Sequence, residues 1–281
     1  MSTSLVRRIT ASNVSRATLE PEPVPTDTHY LKLLQVWQWG QQTPQSVALR
    51  CKRYGFTGVT VKALDGTAWM DNFDGSAAAL GSYQEIDQQA SYFHEQGLYY
   101  FVWTNPLQPN WQTQADMTAM IVEDTLADGL MLDIEPYAQF WGPWAQQGLG
   151  EQFMQRIRHG TTGWVALQPD PRVSALQSLR ISEWVPYADA LMGQHYWSDF
   201  HTDPEAELAL AYDLGNMLGI VVLPTLPGNA PGTWPLNTIA KFPGFCVWRD
   251  GTTPEQTLAQ LGALQVAGLQ TNKFPTPGGF P

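Results

Sequence analysis

Between residues 29 and 270 the sequence switches eight times from a short apolar run of strand character to a longer stretch with helical periodicity. No other feature constrains the fold as strongly. Strands are expected over 31–39, 58–63, 98–103, 129–134, 163–168, 190–196, 220–224 and 244–248. Helices are predicted over 44–54, 83–96, 112–126, 151–159, 182–188, 204–218, 236–242 and 254–266. Several carry their own punctuation. Thr43, Asp203 and Thr253 each precede a proline, which suits an N-cap followed by a residue whose φ is already helical, and Gly97 and Gly219 follow last turns. Eight β–α units in about 240 residues predict an α/β chain forming a single (β/α)8 TIM barrel. A doubly wound sheet would show fewer strands and a glycine-rich loop after the first. Here the first strand runs into Trp37-Gln-Trp-Gly-Gln-Gln42.

Flanking the barrel, residues 1–28 lack hydrophobic periodicity and end in the proline-rich run 20–27, so they read as an irregular extension. Residues 271–281 read as a short Pro/Gly-rich tail. A net charge of −11 argues against nucleic acid and against anionic membrane surfaces, because both require clustered Lys and Arg. No apolar run approaches the roughly 18 residues of a membrane span, and none follows Arg7 and Arg8 as in a signal peptide. The expectation is a cytoplasmic protein, or one released or carried in a particle by a non-classical route. Cys51 and Cys246 lack any metal-type spacing and read as buried free thiols. No HExxH or HxH pair and no GxSxG elbow appears, so neither a metal nor a cofactor is expected.

In such a barrel the C-terminal strand ends carry the site, and here they are polar. They present Lys62 with Asp65, Asn105, Asp133 with Glu135, Gln168 with Asp170, Gln194 with Tyr196, and Trp248 with Arg249 and Asp250. The fourth strand, Gly129-Leu-Met-Leu-Asp-Ile134, ends in Asp133 with Glu135 just beyond it. A spacing of two places both carboxylates on one face, where each disfavours the other's ionisation. Such a pair can keep one carboxyl protonated for a leaving oxygen, the general-acid role of glycoside hydrolysis, and Glu135 is the candidate for it. Tryptophans crowd the same ends and the loops after them: Trp37, Trp39, Trp69, Trp103, Trp111, Trp141, Trp144, Trp197, Trp234 and Trp248. Their faces suit stacking on sugar rings. Asp133 and Glu135 are therefore the catalytic candidates. Tyr196, Trp248, Gln194, Lys62, Trp103, Trp39, Asn105 and Asp65 are the substrate-binding candidates, with Lys62 as a counter-charge to the pair. His195 alternates faces with Gln194 and Tyr196 and is expected to point into packing.

The run Asp128-Gly-Leu-Met-Leu-Asp133-Ile-Glu135 resembles the DGxDxDxE signature on the fourth strand of family 18 glycoside hydrolases, the chitinase type. Met192-Gly-Gln-His-Tyr196 is similar to that family's sixth-strand end with one extra residue, and Gly244-Phe-Cys-Val-Trp248 to its eighth strand. The resemblance implies a polysaccharide substrate containing N-acetylhexosamine, of chitin or peptidoglycan type. It implies Glu135 as acid/base, Asp133 as orienter of the acetamido group whose oxygen attacks the anomeric carbon, Tyr196 as its partner and Trp248 as sugar platform. The middle aspartate of the signature is Met131 here. Family 25 muramidases, which cleave bacterial cell walls, also end a strand in Asp-x-Glu and do not need that aspartate. They carry another on the first strand, and 33–39 contains none. The alternative expectation is a catalytically weak or inactive barrel that binds glycan or serves a larger phage-tail or injection-type assembly, docking a protein partner through residues 1–28.

Overall fold

A computed structural model describes residues 28–143 and 145–273. It is a (β/α)8 barrel. The parallel strands are β1 (Leu31–Val36), β2 (Gly58–Asp65), β3 (Tyr99–Asn105), β4 (Gly129–Ile134), β5 (Val165–Pro169), β6 (Ala190–Leu191), β7 (Val221–Val222) and β8 (Gly244–Trp248). Each of β1 to β6 pairs with the next, and β8 pairs with β1. The ring closes through one stretch of chain: β7 pairs with β6, and Thr225–Pro227 pairs with β8. The predicted seventh strand, 220–224, is reduced to Val221–Val222, and Pro224, which has no N–H to give a ladder, lies between it and Thr225–Pro227. The predicted sixth strand is shorter than expected. Beyond Leu191 only a bridge from Gln194 to Thr225 continues it.

Strand alternation produces two separate cores. Outward residues such as Val59, Val61, Leu130, Leu132 and Leu167 pack under the helices α1 (Pro44–Tyr54), α2 (Tyr83–Glu95), α3 (Trp111–Glu123), α4 (Leu149–Gly160), α5 (Val173–Leu179), α6 (Trp197–Phe200), α7 (Pro204–Leu218), α8 (Leu236–Ile239) and α9 (Glu255–Gly262). Inward residues Leu31, Leu33, Phe101, Met131, Ala166, Met192 and Cys246 fill the barrel itself. Gly129 is an inward position whose absent Cβ would stand 2.8 Å from the Trp164 ring, so glycine is required where that indole enters the interior. The capping signals at Thr43 and Asp203 operate as expected: Thr43 Oγ1 accepts from Ser46 N, and Asp203 Oδ1 from Ala206 N. Residues 182–188 form two 3-10 turns, Ile181–Glu183 and Val185–Tyr187, instead of the predicted helix. The helix on that side is the unpredicted α5.

The N-terminal end of the barrel is sealed. Thr28–His29 pairs antiparallel with Leu269–Gln270, so Thr28 belongs to this strand pair and not to the extension. His29 Nε2 donates to the Thr271 carbonyl at 3.1 Å, and Nδ1 lies 2.7 Å from the Tyr99 hydroxyl. Residues 1–27, on which a partner-docking arm was expected, and tail residues 274–281 lie outside the described residues. Among the described residues no helix is long and apolar enough to cross a membrane, and no cluster of three or more His, Cys, Asp or Glu side chains could hold a metal ion.

Candidate active site

At the C-terminal mouth a cavity of about 360 Å³ opens, within the size range of small-molecule sites. Its wall includes nine of the ten candidate residues: Lys62, Asp65, Trp103, Asn105, Asp133, Glu135, Gln194, Tyr196 and Trp248. The tenth, Trp39, lies elsewhere. Its ring is buried in the outer core and its backbone N–H donates to Asp74 Oδ2 at 2.6 Å. The reason is local: β1 stops at Val36, three residues short of the predicted end, and the chain then turns outward. The wider tryptophan pattern is corrected in the same way. Trp37, Trp103 and Trp248 line the cavity. Trp141 packs edge-on to Trp184 at 4.8 Å, and Trp197 to Trp234 at 5.0 Å, all four buried behind it. Position at a strand end does not say which way an indole turns.

Asp133 and Glu135 are brought together as their spacing required. One atom, Gln194 Nε2, donates to Asp133 Oδ1 at 2.8 Å and to Glu135 Oε1 at 2.9 Å. The amide expected to bind substrate thus spends its donors on holding the pair. Burial raises the pKa of both carboxyls, and it raises the deeper Asp133 well above the usual range, with the Glu135 charge adding to the effect. For Glu135, burial dominates, and the Gln194 hydrogen bond works against it. Burial thus disfavours charge on both members of the pair, the setting in which a general acid keeps its proton. Neither carboxylate is salt-bridged to Lys62 or Arg249.

Met131 lies one inward position below Asp133, fully buried, in register between Trp103 and Ala166. Its layer is apolar, so a thioether fits where the family signature has an aspartate. Above that layer is a polar floor. The amides of Gln35 and Gln168 bond each other across the barrel at 2.8 and 3.1 Å, and Gln168 Nε2 also donates to Thr225 Oγ1 at 2.9 Å. Gln35 went unnoticed in the sequence, although a lone glutamine at an inward position of an apolar strand marks where such a floor can form.

Beside the pair, at the ends of β2 and β3, stands a second polar group. Lys62 Nζ is sandwiched between the rings of Phe73 and Trp103, at 5.1 and 4.9 Å, and lies 3.3 Å from Asp65 Oδ2. Asn105 Nδ2 donates to Asp65 Oδ1 at 2.9 Å, while Asn105 Oδ1 is buried without a partner among the described residues. Residues 62 and 65 would face opposite sides of a regular strand. A bulge between Lys62 and Leu64 shifts the register by one and turns both toward the mouth. Lys62 therefore pairs with Asp65, not directly with Asp133, on which it acts only as a more distant charge that lowers its pKa. Tyr196 Oη has no hydrogen-bond partner among the described residues, and its ring packs on Phe200 at 6.2 Å. His195 turns away from the mouth as expected, with Nδ1 3.2 Å from Glu207 of α7.

No family model matches the sequence, and no curated protein does. Solved structures do match. A family 113 β-1,4-mannanase superposes with TM-score 0.57 at 12% identity, over 83% of this chain and 99% of that one. The endo-β-1,4-mannanase of Thermotoga petrophila gives 0.58 at 9% identity, over 84% and 77%. A family 30 xylanase of Clostridium acetobutylicum gives 0.57 at 12%, over 85% and 72%. The chain thus has the (β/α)8 fold of glycoside hydrolases. These likenesses single out neither the chitinase type nor the muramidases.

Proposed function

We propose that this barrel is a glycoside hydrolase acting on an N-acetylhexosamine polysaccharide of the peptidoglycan or chitin kind. The observation that carries the reading is the placement of carboxylates in the cavity. Asp133 and Glu135 share one strand end and one amide donor, while the facing wall contributes Gln35, Trp37, Trp248 and Arg249. Asp65, the remaining lining carboxylate, is committed to Lys62 and Asn105. Two catalytic carboxyls of a retaining enzyme stand on either side of the bond to be cut. This pair stands on one side only, which favours attack by a neighbouring acetamido oxygen of the substrate itself. The proton moves from Asp133 to Glu135 and then to the leaving oxygen. Asp133, now ionised, accepts the acetamido N–H, and Tyr196 Oη is free to bond the same group. Water then opens the cyclised sugar and returns the proton to the pair. Trp248 supplies the apolar platform.

The second reading, a glycan-binding barrel without turnover, is favoured by the Gln194 amide, which holds both carboxylates in a closed arrangement. Assays on N-acetylhexosamine polymers with wild type and Glu135→Gln separate the two. Hydrolysis that falls roughly a thousandfold in the variant, with melting temperature maintained, is the expected result. Equal turnover in the variant ends the assignment of Glu135, and binding without turnover in wild type establishes the second reading.

A further inference from the structure

Arg249 stands out among the cavity's charges. Its guanidinium lies over the Trp37 ring at 4.7 Å and near the Trp248 ring at 5.6 Å. Among the described residues it has no carboxylate partner, although the chain carries a net charge of −11. Arg50, Arg156, Arg158, Arg172, Lys62 and Lys273 each pair with an aspartate, and the other described Lys and Arg without an acid partner lie outside the cavity wall. In a chain with an excess of acids, an unpaired cation on the wall of a cavity is a binding element until shown otherwise. Contact with two indole rings restrains the guanidinium and uses none of its five N–H groups on a carboxylate, so little entropy is lost when an anion docks.

We infer that the ligand carries a carboxylate, and that Arg249, held by Trp37 and Trp248, is the residue that selects acidic over neutral amino-sugar chains. The inference rests on the glycosidase reading and narrows its substrate class. A single monoanion suits the site better than a phosphate dianion, because the other cation in the cavity, Lys62, is already neutralised by Asp65. Cavity charge is consistent with this. The Lys62–Asp65 pair is neutral and burial disfavours charge on Asp133 and Glu135, so the Arg249 charge is there for an entering carboxylate to meet. Two sugars supply this chemistry: a hexuronic acid alternating with the amino sugar, and an amino sugar bearing a lactyl ether.

The test is titration calorimetry of Glu135→Gln, which holds substrate without cutting it, with tetrasaccharides of each kind and with the same molecules after reduction of the carboxyl to an alcohol. The acid form of one kind is expected to bind roughly tenfold to a hundredfold tighter than its reduced form, the range of a charge-assisted bidentate bond. That gap narrows with added salt. In Glu135→Gln/Arg249→Gln the gap collapses to within about threefold, and Arg249→Lys retains part of it. Whichever kind shows the gap identifies the source of the carboxylate. Equal binding of acid and reduced forms overturns the role of Arg249 and leaves the glycosidase reading standing. Absence of binding by any of the four, together with absence of hydrolysis, overturns both.

Discussion

Strand β4 has an aspartate at each end, and the two are treated in opposite ways. Asp128, at the sealed end, accepts from His94 Nε2 at 2.9 Å and from the Tyr100 N–H at 2.6 Å. Burial raises its pKa, and the His94 and Tyr100 hydrogen bonds offset only part of the rise. Asp133, at the open end, receives one shared amide and has Glu135 for a neighbour, so burial acts with little to oppose it. One end of the barrel uses up its polar groups among themselves. The other leaves a buried carboxyl pair facing a cavity, together with an Asn105 carbonyl oxygen that has no partner, and an Arg249 guanidinium that has no carboxylate partner, among the described residues. A buried carboxylate with full hydrogen bonding is a structural element, whereas one held by a single donor retains chemistry to perform.

The comparison is broken most directly at Asp133. Asp133→Asn is expected to lower kcat on an N-acetylhexosamine polymer by roughly a hundredfold or more, since both the proton donor to Glu135 and the acetamido partner are lost. Its effect on stability has a definite sign. The folded carboxyl keeps its proton at pH values where the unfolded one has lost it. Its contribution to stability is therefore full below about pH 4 and declines as pH rises through the raised folded value, at a slope of at most ~1.4 kcal/mol per pH unit. Asparagine has no such slope. Denaturant melts of wild type and variant should diverge in the variant's favour as pH increases, and parallel curves would show that Asp133 is not held protonated.

Asp128→Ala sharpens the other half. It removes the carboxylate that His94 Nε2 and the Tyr100 amide bond and is expected to cost about 3 kcal/mol in chemical denaturation, while kcat per folded molecule stays within about twofold. A loss of turnover beyond the folded fraction would mean that the two ends are coupled. The smallest effect is expected from Trp39→Phe. It should lower stability by about 1 kcal/mol and leave glycan affinity within about twofold, because the ring lies in the outer core. A tenfold loss of affinity would return Trp39 to the site.

Much of the site was legible because the barrel converts sequence position into spatial position. Residues at the ends of different strands converge on one mouth, so Lys62, Asn105, Asp133, Gln194 and Trp248 could be gathered with no knowledge of contacts. Where this conversion fails, the reading failed with it. Trp39 lay beyond the point at which β1 ends. Trp141 sits on a loop and Trp197 opens the short helix α6, and strand alternation fixes the facing of neither. Lys62 and Asp65 share a face only because of a bulge, which leaves no mark in the alternation of residues.

The sequence by itself determined the eight-fold alternation, the inward stripe of β4 and the juxtaposition of Asp133 with Glu135, because strand geometry fixes these locally. Only the tertiary structure decided that Gln194 bridges the pair, that Lys62 answers to Asp65, that Met131 belongs to an apolar layer and that Arg249 meets no acid among the described residues. Each of those outcomes depends on which side chains arrive from other strands, and on how much water the assembled barrel leaves around them.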